Sequence, residues 1–142
     1  RDVVASCRQS RKDRSGSWIT DDMLEAYCRL HDLGFAHSVE AWAGDVLAGG
    51  LYGVSLGSCF FGESMFTRMS NASKAALITL VSVIRGLGFT VVDCQVYTDH
   101  LLSLGARMIP RTEYLDLLAA NTALPTIQGN WGEMETFAGG KA

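Results

Sequence analysis

The chain has 142 residues, 48% of them hydrophobic and 19% charged, with two prolines and a formal net charge of −3. That length suits one domain with its own buried core, and the composition excludes a disordered tail. The mild negative charge excludes a protein that grips nucleic acid with its whole surface, leaving only a local basic patch for such contact.

No apolar run reaches the roughly 18 residues that a membrane span needs, and no basic start with an apolar stretch and cleavage site opens the sequence. A soluble, cytoplasmic protein without an export signal is expected, as a monomer. The chain begins at Arg1 without an initiator methionine, as a fragment or processed form would. Cys7, Cys28, Cys59 and Cys94 are widely spaced, which fits reduced structural thiols better than a disulfide framework or a zinc site.

The opening cluster Arg8, Arg11, Lys12 and Arg14 reads as a solvated, mobile face or as a contact for a polyanion. Thr20, Asp21 or Asp22 can then cap a helix, with Asp22 and Glu25 spaced as a capping box. Met23, Tyr27, Leu30 and Leu33 recur at helical spacing up to Gly34, a predicted C-cap. Residues 38–42, a Gly44-Asp45 turn and residues 46–54 predict an antiparallel hairpin. Gly49, Gly50 and Gly53 in its second strand predict a bulge or a close approach. After a Gly57-Ser58 turn a short strand, Cys59-Phe60-Phe61, is expected, with Glu63 directly beyond it. Ser70 or Asn71 caps a helix over residues 72–86 whose few polar positions, Lys74, Ser82 and Arg85, lie in one stripe.

Residues 91–97, Val-Val-Asp-Cys-Gln-Val-Tyr, read as a buried strand. A helix leading into it favours a parallel neighbour. Period-two alternation puts Asp93 and Gln95 on one face, opposite Val92, Cys94 and Val96. Unpartnered, each would cost about 1 to 3 kcal/mol to bury, so the pair is either a core hydrogen-bond network or a site. Thr98 or Asp99 caps a short helix to Gly105, residues 108–110 read as an edge strand, and Thr112 opens a last helix to about Ala120. The sum is an α+β domain over 1–120 with a loosely ordered tail over 121–142.

Several chemistries are disfavoured. Gly62-Glu63-Ser64-Met65-Phe66 lacks the second glycine of a nucleophile elbow, so a triad of Ser64, His100 and Asp93 rests on composition alone. His31, His37 and His100 have no metal-ligand spacing. The turn before the 72–86 helix has no glycine to cradle the pyrophosphate of coenzyme A.

Four stretches, SWITDDMLEAYCRLHDLGFAHSVEAW (17–42), GESMFTRMSNASKAAL (62–77), VVDCQV (91–96) and DHLLSLGARMIPR (99–111), resemble the catalytic half of leucyl/phenylalanyl-tRNA–protein transferases. The likeness runs from Val3 to Leu118. It implies a GNAT-like acyltransferase fold, a mixed, mostly antiparallel sheet flanked by helices. It also implies transfer of leucine or phenylalanine from aminoacyl-tRNA to the N-terminal Arg or Lys of acceptor proteins, which marks them for degradation by the N-end rule. Aminoacyl-tRNA is then a substrate and no cofactor is needed.

By the same resemblance Asp93 and Gln95 are the catalytic pair and Glu63 lies near the substrate amine, with a structural partner as the other reading of Glu63. Trp18 and Tyr27 match positions that contact the terminal adenosine of the tRNA. Leu51, Phe60, Met65, Leu77, Leu80 and Ile84 can line a pocket for the leucine or phenylalanine side chain, or can equally be plain core. By this resemblance the family's N-terminal domain is expected to be missing, and no match is expected for residues 125–142. Two alternatives stand beside this reading: an acyl-coenzyme A acetyltransferase of the same fold, and a non-catalytic module that binds tRNA or peptide.

Overall fold

A computed structural model describes residues 1–15 and 17–133. The first helix, α1 (Asp2–Ser15), arises where the sequence suggested only a basic surface. Val3, Val4 and Cys7 fall on one helical face and are buried with Ile19, Leu47, Tyr52 and Phe66, so apolar burial outweighs the charges that follow. Arg8 pairs with Asp21. The side chains of Arg11, Lys12 and Arg14 lie outside the described residues.

Helix α2 (Asp21–Asp32) starts at Thr20, whose Oγ1 accepts the Met23 N–H at 3.2 Å. Glu25 does not close a capping box; it pairs with Arg1 at 2.8 Å. The helix ends as expected at Gly34, with φ 82°, where the Phe35 N–H returns to the Leu30 carbonyl.

Strands β1 (Ala36–Ala43), β2 (Val46–Leu56) and β3 (Cys59–Thr67) form an antiparallel meander. Helix α3 (Ala72–Gly86) then crosses over to β4 (Val91–Asp93), which lies parallel to β3. Sheet order is β1-β2-β3-β4. Helices α4 (Asp99–Ser103) and α5 (Arg111–Thr122) complete an α+β domain with a mixed, mostly antiparallel sheet flanked by helices, consistent with a GNAT-like fold.

Three expectations are corrected. β3 does not stop at Phe61 but runs to Thr67, so Glu63 lies inside a strand. β4 ends at Asp93 instead of Tyr97, because the Asp93 carboxylate captures the Gln95 N–H and Gln95 turns the chain at φ 61°. Residues 108–110 form no strand: Met108 is 70% exposed and Pro110 is the N-cap of α5.

The sheet has two apolar faces. Leu51, Phe60 and Val92 face α3 and pack with Ala76, Leu80, Ile84, Phe89 and Trp131. The other face carries Tyr52 toward α1 and α2, with the Tyr27 ring edge-on to it at 5.0 Å. Gly49 is needed in β2 because a Cβ there would stand 2.6 Å from that of Ala72 at the start of α3.

The segment after Asn121 is not loose as far as Glu133. The Thr126 Oγ1 accepts the Gly57 N–H at 2.8 Å, and Trp131, in a short 3-10 turn, is 6% exposed. Its indole stacks on His37 at 3.6 Å and donates to the Ile127 carbonyl. One large ring thus anchors a stretch without periodicity. Residues 134–142, the rest of the predicted tail, lie outside the described residues. Among the described residues no helix is long and apolar enough to cross a membrane.

Two outcomes follow from this packing. Trp131→Ala should destabilise the domain by about 3 to 5 kcal/mol in denaturant titrations, the range for large aromatic truncations in cores. His37 is held to a pKa of about 4 by burial, with the neighbouring His31 adding repulsion, against an ordinary 6.5. Its neutral ring supports the fold above pH 6.5, and that support is lost as pH falls toward 4. The denaturation midpoint should fall across this window, and by less in His37→Gln.

Candidate functional site

The β2–β3 register jumps from Tyr52↔Ser64 to Gly53↔Gly62, which leaves Glu63 as the extra residue of a bulge. Gly53 makes the bulge possible: a Cβ there would meet the Phe61 carbonyl at 2.3 Å and the Phe60 ring at 2.6 Å. Phe61 pairs with Asp93 across the parallel ladder, and this pair is the ladder's last. Glu63 and Asp93, thirty positions apart in sequence, thereby border the same space on the α2 side of the sheet.

Asp93 and Gln95 do come together, but through a turn and not through strand alternation. The Gln95 N–H donates to Asp93 Oδ1 at 2.8 Å, and the Val96 N–H donates to the Cys94 carbonyl at 2.7 Å, so Gln95 sits at the centre of a γ-turn with positive φ. This form of γ-turn is rare and strained in a non-glycine residue. The Gln95 side chain then reaches back: Nε2 donates to the Gly62 carbonyl at 3.0 Å, beyond the point where β3 and β4 stop pairing. With Nε2 so engaged, the Gln95 Oε1 remains the acceptor of that amide.

The second carboxylate oxygen, Asp93 Oδ2, accepts the Tyr114 hydroxyl of α5 at 2.7 Å. That bond, aided by burial, pushes the Tyr114 phenol up to about 12. Burial, a hydrogen bond to Glu63 and its charge also raise the Tyr27 phenol above its usual 10. Both carboxylates therefore have a phenol as neighbour. Burial raises the Cys94 thiol, and the Asp93 charge adds to this, which disfavours Cys94 as a thiolate nucleophile.

Around these groups lies an open cavity of about 640 Å³, lined by Tyr27, Leu30 and Phe35 of the α2 region, Val54, Leu56 and Phe61 of the sheet, and Glu63, Asp93 and Gln95. Its lining carries two carboxylates and, among the described residues, no Lys, Arg or His. Such a space attracts a cation with an apolar stem. Trp18, 41% exposed, stands just before α2.

The six apolar residues considered for the leucine pocket are elsewhere. Leu51, Phe60, Leu80 and Ile84 are buried on the α3 side of the sheet, and Met65 and Leu77 are half-buried at the edge of that cluster. Of the cavity wall, Tyr27, Glu63, Asp93 and Gln95 are expected from the sequence, whereas Leu30, Phe35, Val54, Leu56 and Phe61 are not, and neither is Tyr114. Tyr114 had one legible signal: it shares a helical stripe with Leu117, Leu118 and Asn121, the more sheltered face of α5.

Among the described residues no three His, Cys, Asp or Glu side chains converge as a metal site. In the turn between β3 and α3, Arg68 is directed toward Ser6 and the Leu47 carbonyl.

Comparison with known proteins identifies the family. The family model described as leucyl/phenylalanyl-tRNA protein transferase matches residues 1–119. The chain belongs to this family. It is 58% identical over 130 residues to the leucyl/phenylalanyl-tRNA–protein transferase of Syntrophus aciditrophicus, covering 91% of this chain and 54% of that protein. The enzyme of the same name from Anaeromyxobacter dehalogenans strain 2CP-C is 54% identical, with 91% and 56% covered, and that of Myxococcus xanthus 52%, with 94% and 57%. The chain thus spans about half the length of the curated relatives it matches.

The bulge that presents Glu63 depends on Gly53 having no side chain. Gly53→Ala should therefore cost more than about 1 kcal/mol by chemical denaturation, since both the backbone and a buried ring must yield.

Proposed function

We propose that the chain forms the catalytic part of an aminoacyltransferase that moves leucine or phenylalanine from the 3′ end of a charged tRNA to the N-terminal amine of an acceptor protein beginning with Arg or Lys. The observation that carries the reading is the cavity with Glu63, Asp93 and Gln95 on its wall and, among the described residues, no basic side chain in its lining; family membership supports it.

An aminoacyl ester is already activated, so the enzyme mainly has to hold a neutral amine against its carbonyl. A protein α-amine has a pKa of about 7.7 to 8.0, and roughly a tenth is unprotonated at pH 7. Gln95 Oε1 accepts one N–H of the amine and aims its lone pair at the ester carbon. Asp93 draws the ammonium form in and receives the proton as the C–N bond forms. The ester C–O bond then breaks, and the terminal ribose oxygen of the tRNA leaves with the proton that Asp93 gives up, which restores the carboxylate. Glu63, on the same cavity wall, takes the guanidinium or ammonium of the acceptor's first side chain, whose methylenes lie along Val54, Leu56 and Phe61.

The aminoacyl side chain approaches from the α3 side. Met65 and Leu77 are half-buried at the edge of a core formed by Leu51, Phe60, Leu80 and Ile84, and an adaptable methionine there suits both leucine and phenylalanine. Only the aminoacyl side chain thus crosses to the α3 face, while the rest of the charged 3′ end and the acceptor amine share the α2 side, where β3 and β4 stop pairing. Trp18 and Tyr27 offer ring faces to the terminal adenosine, where stacking is worth roughly 1 to 3 kcal/mol per base. The setting is the cytoplasm, where charged tRNA is available, the modified proteins are marked for degradation, and aminoacyl-tRNA is consumed as a substrate without a cofactor.

The test is transfer of labelled leucine from charged tRNA to a peptide beginning with Arg, in the full-length protein. Asp93→Ala and Gln95→Ala should each lower kcat by at least about tenfold, within the range of positioned acid–base groups. Glu63→Gln should raise the KM for the peptide while changing kcat less. Absence of transfer would overturn the function, and wild-type rates in the Asp93 and Gln95 variants would overturn the site.

A further inference from the structure

Asp93 is held from two directions, one by its own turn and one by a helix that the reaction scheme above does not use. The Gln95 N–H occupies one lone pair of Oδ1. The Tyr114 hydroxyl occupies one of Oδ2, at 2.7 Å. A carboxylate with a donor on each oxygen cannot rotate about its Cβ–Cγ bond without losing both bonds, so its remaining lone pairs point in fixed directions.

The helix that supplies the phenol is itself fastened. Seven residues beyond Tyr114, Asn121 accepts through Oδ1 from the Ser58 hydroxyl at 2.7 Å and from the Thr90 hydroxyl at 2.6 Å. Its carbonyl accepts the Ser58 N–H at 3.1 Å. Ser58 belongs to the β2–β3 turn and Thr90 immediately precedes β4, so Asn121 ties α5 to both strands that carry the site. The seat is tight: a Cβ on Gly57 would lie 2.0 Å from the Asn121 carbonyl oxygen. Tyr114 stands two turns up the same stripe, about 10 Å along the axis. With the C-terminal end of α5 seated and the intervening helix rigid, the phenol has little freedom to follow Asp93 elsewhere.

We propose that Tyr114 is a positioning residue for the transfer reaction, which fixes the Asp93 carboxylate toward the acceptor amine through its phenol hydroxyl. The proposal rests on the function given above. A purely structural tie between α5 and β4 would also use this bond, and the two roles differ in what the bond's loss does. A tie affects stability. A positioning contact affects the chemical step, because a carboxylate free to rotate spends less time aligned with the amine.

Tyr114→Phe keeps the ring and removes only the hydroxyl. In the full-length protein it should lower kcat for leucine transfer about tenfold and leave the KM for the Arg peptide within about twofold, a split that marks a contact felt in the transition state. Leu115→Ala, on the exposed side of α5, should leave kcat unchanged. In an Asp93→Asn background the Tyr114 change should have no further effect, since the two residues act as one unit.

A second readout does not depend on turnover. The Tyr114 phenol, at about 12 in the wild type, should titrate near the ordinary 10 in Asp93→Asn, followed by tyrosinate absorbance or by the carbon resonance of a labelled ring. Tyr114→Phe with wild-type kcat overturns the positioning role even where the titration shows the contact. A Tyr114 phenol that titrates alike in wild type and Asp93→Asn overturns the contact itself. A wild-type protein that transfers nothing overturns the function, and with it any role of Tyr114 in that function, whatever the titration gives.

Discussion

A single half-buried carboxylate sets the geometry on which the rest of the site depends. Asp93 closes β4, because its oxygen takes the N–H that Gln95 would otherwise offer to a neighbouring strand. The same event forces Gln95 into the left-handed region and sends its amide back to the Gly62 carbonyl. The sheet therefore stops pairing beside the cavity and leaves it open on that side. The cost of a strained non-glycine residue, of order 1 to 3 kcal/mol, is spread over hydrogen bonds that converge on Asp93 and Gln95.

The fold brings two acids together that the sequence separates by thirty positions. An antiparallel meander presents Glu63 at a bulge, and a helical crossover returns the chain to lay Asp93 beside Phe61. Neither device suffices alone. The crossover helix α3 buries Ala76, Leu80 and Ile84 against the far face of the same strands, so the apolar face stabilises a sheet whose opposite face carries the two acids. That division of labour between faces lets the cavity wall include two carboxylates with, among the described residues, no buried cation beside them.

Much of this is visible in the amino-acid sequence, for identifiable reasons. The Thr20 cap, the Gly34 stop, the Gly44 turn and the parallel crossover each rest on local chemistry with few alternatives. Asp93, Gln95 and Glu63 stand out as polar groups in apolar runs. What sequence reading loses is set by distant contacts. Helix α1 forms because Val3, Val4 and Cys7 meet Tyr52 and Phe66, which no local pattern reveals. The length of β3 depends on β2 alongside it, and the end of β4 on a side chain taking a backbone donor. Tyr114 looks like an ordinary helical aromatic until α5 is laid against Asp93. The stretch before Glu133 has no periodicity at all, yet Trp131, beside His37 and Phe89, and the bonds of Thr126 to Gly57 and of Gly129 to Gly34 fix it.

The brevity of β4 has a consequence for how the molecule fluctuates. Three register pairs join it to β3, against eight between β2 and β3. Local openings of a native protein follow such differences in pairing, and segments with few ladder bonds open without the rest. The acid-bearing strand and the turn after it are therefore held less by the ladder than by side chains, Asp93 to Tyr114, Gln95 to Gly62 and Thr90 to Asn121. Breaking any one of these bonds loosens residues 91–96 before it loosens the meander or α3, because the short ladder holds little in reserve there.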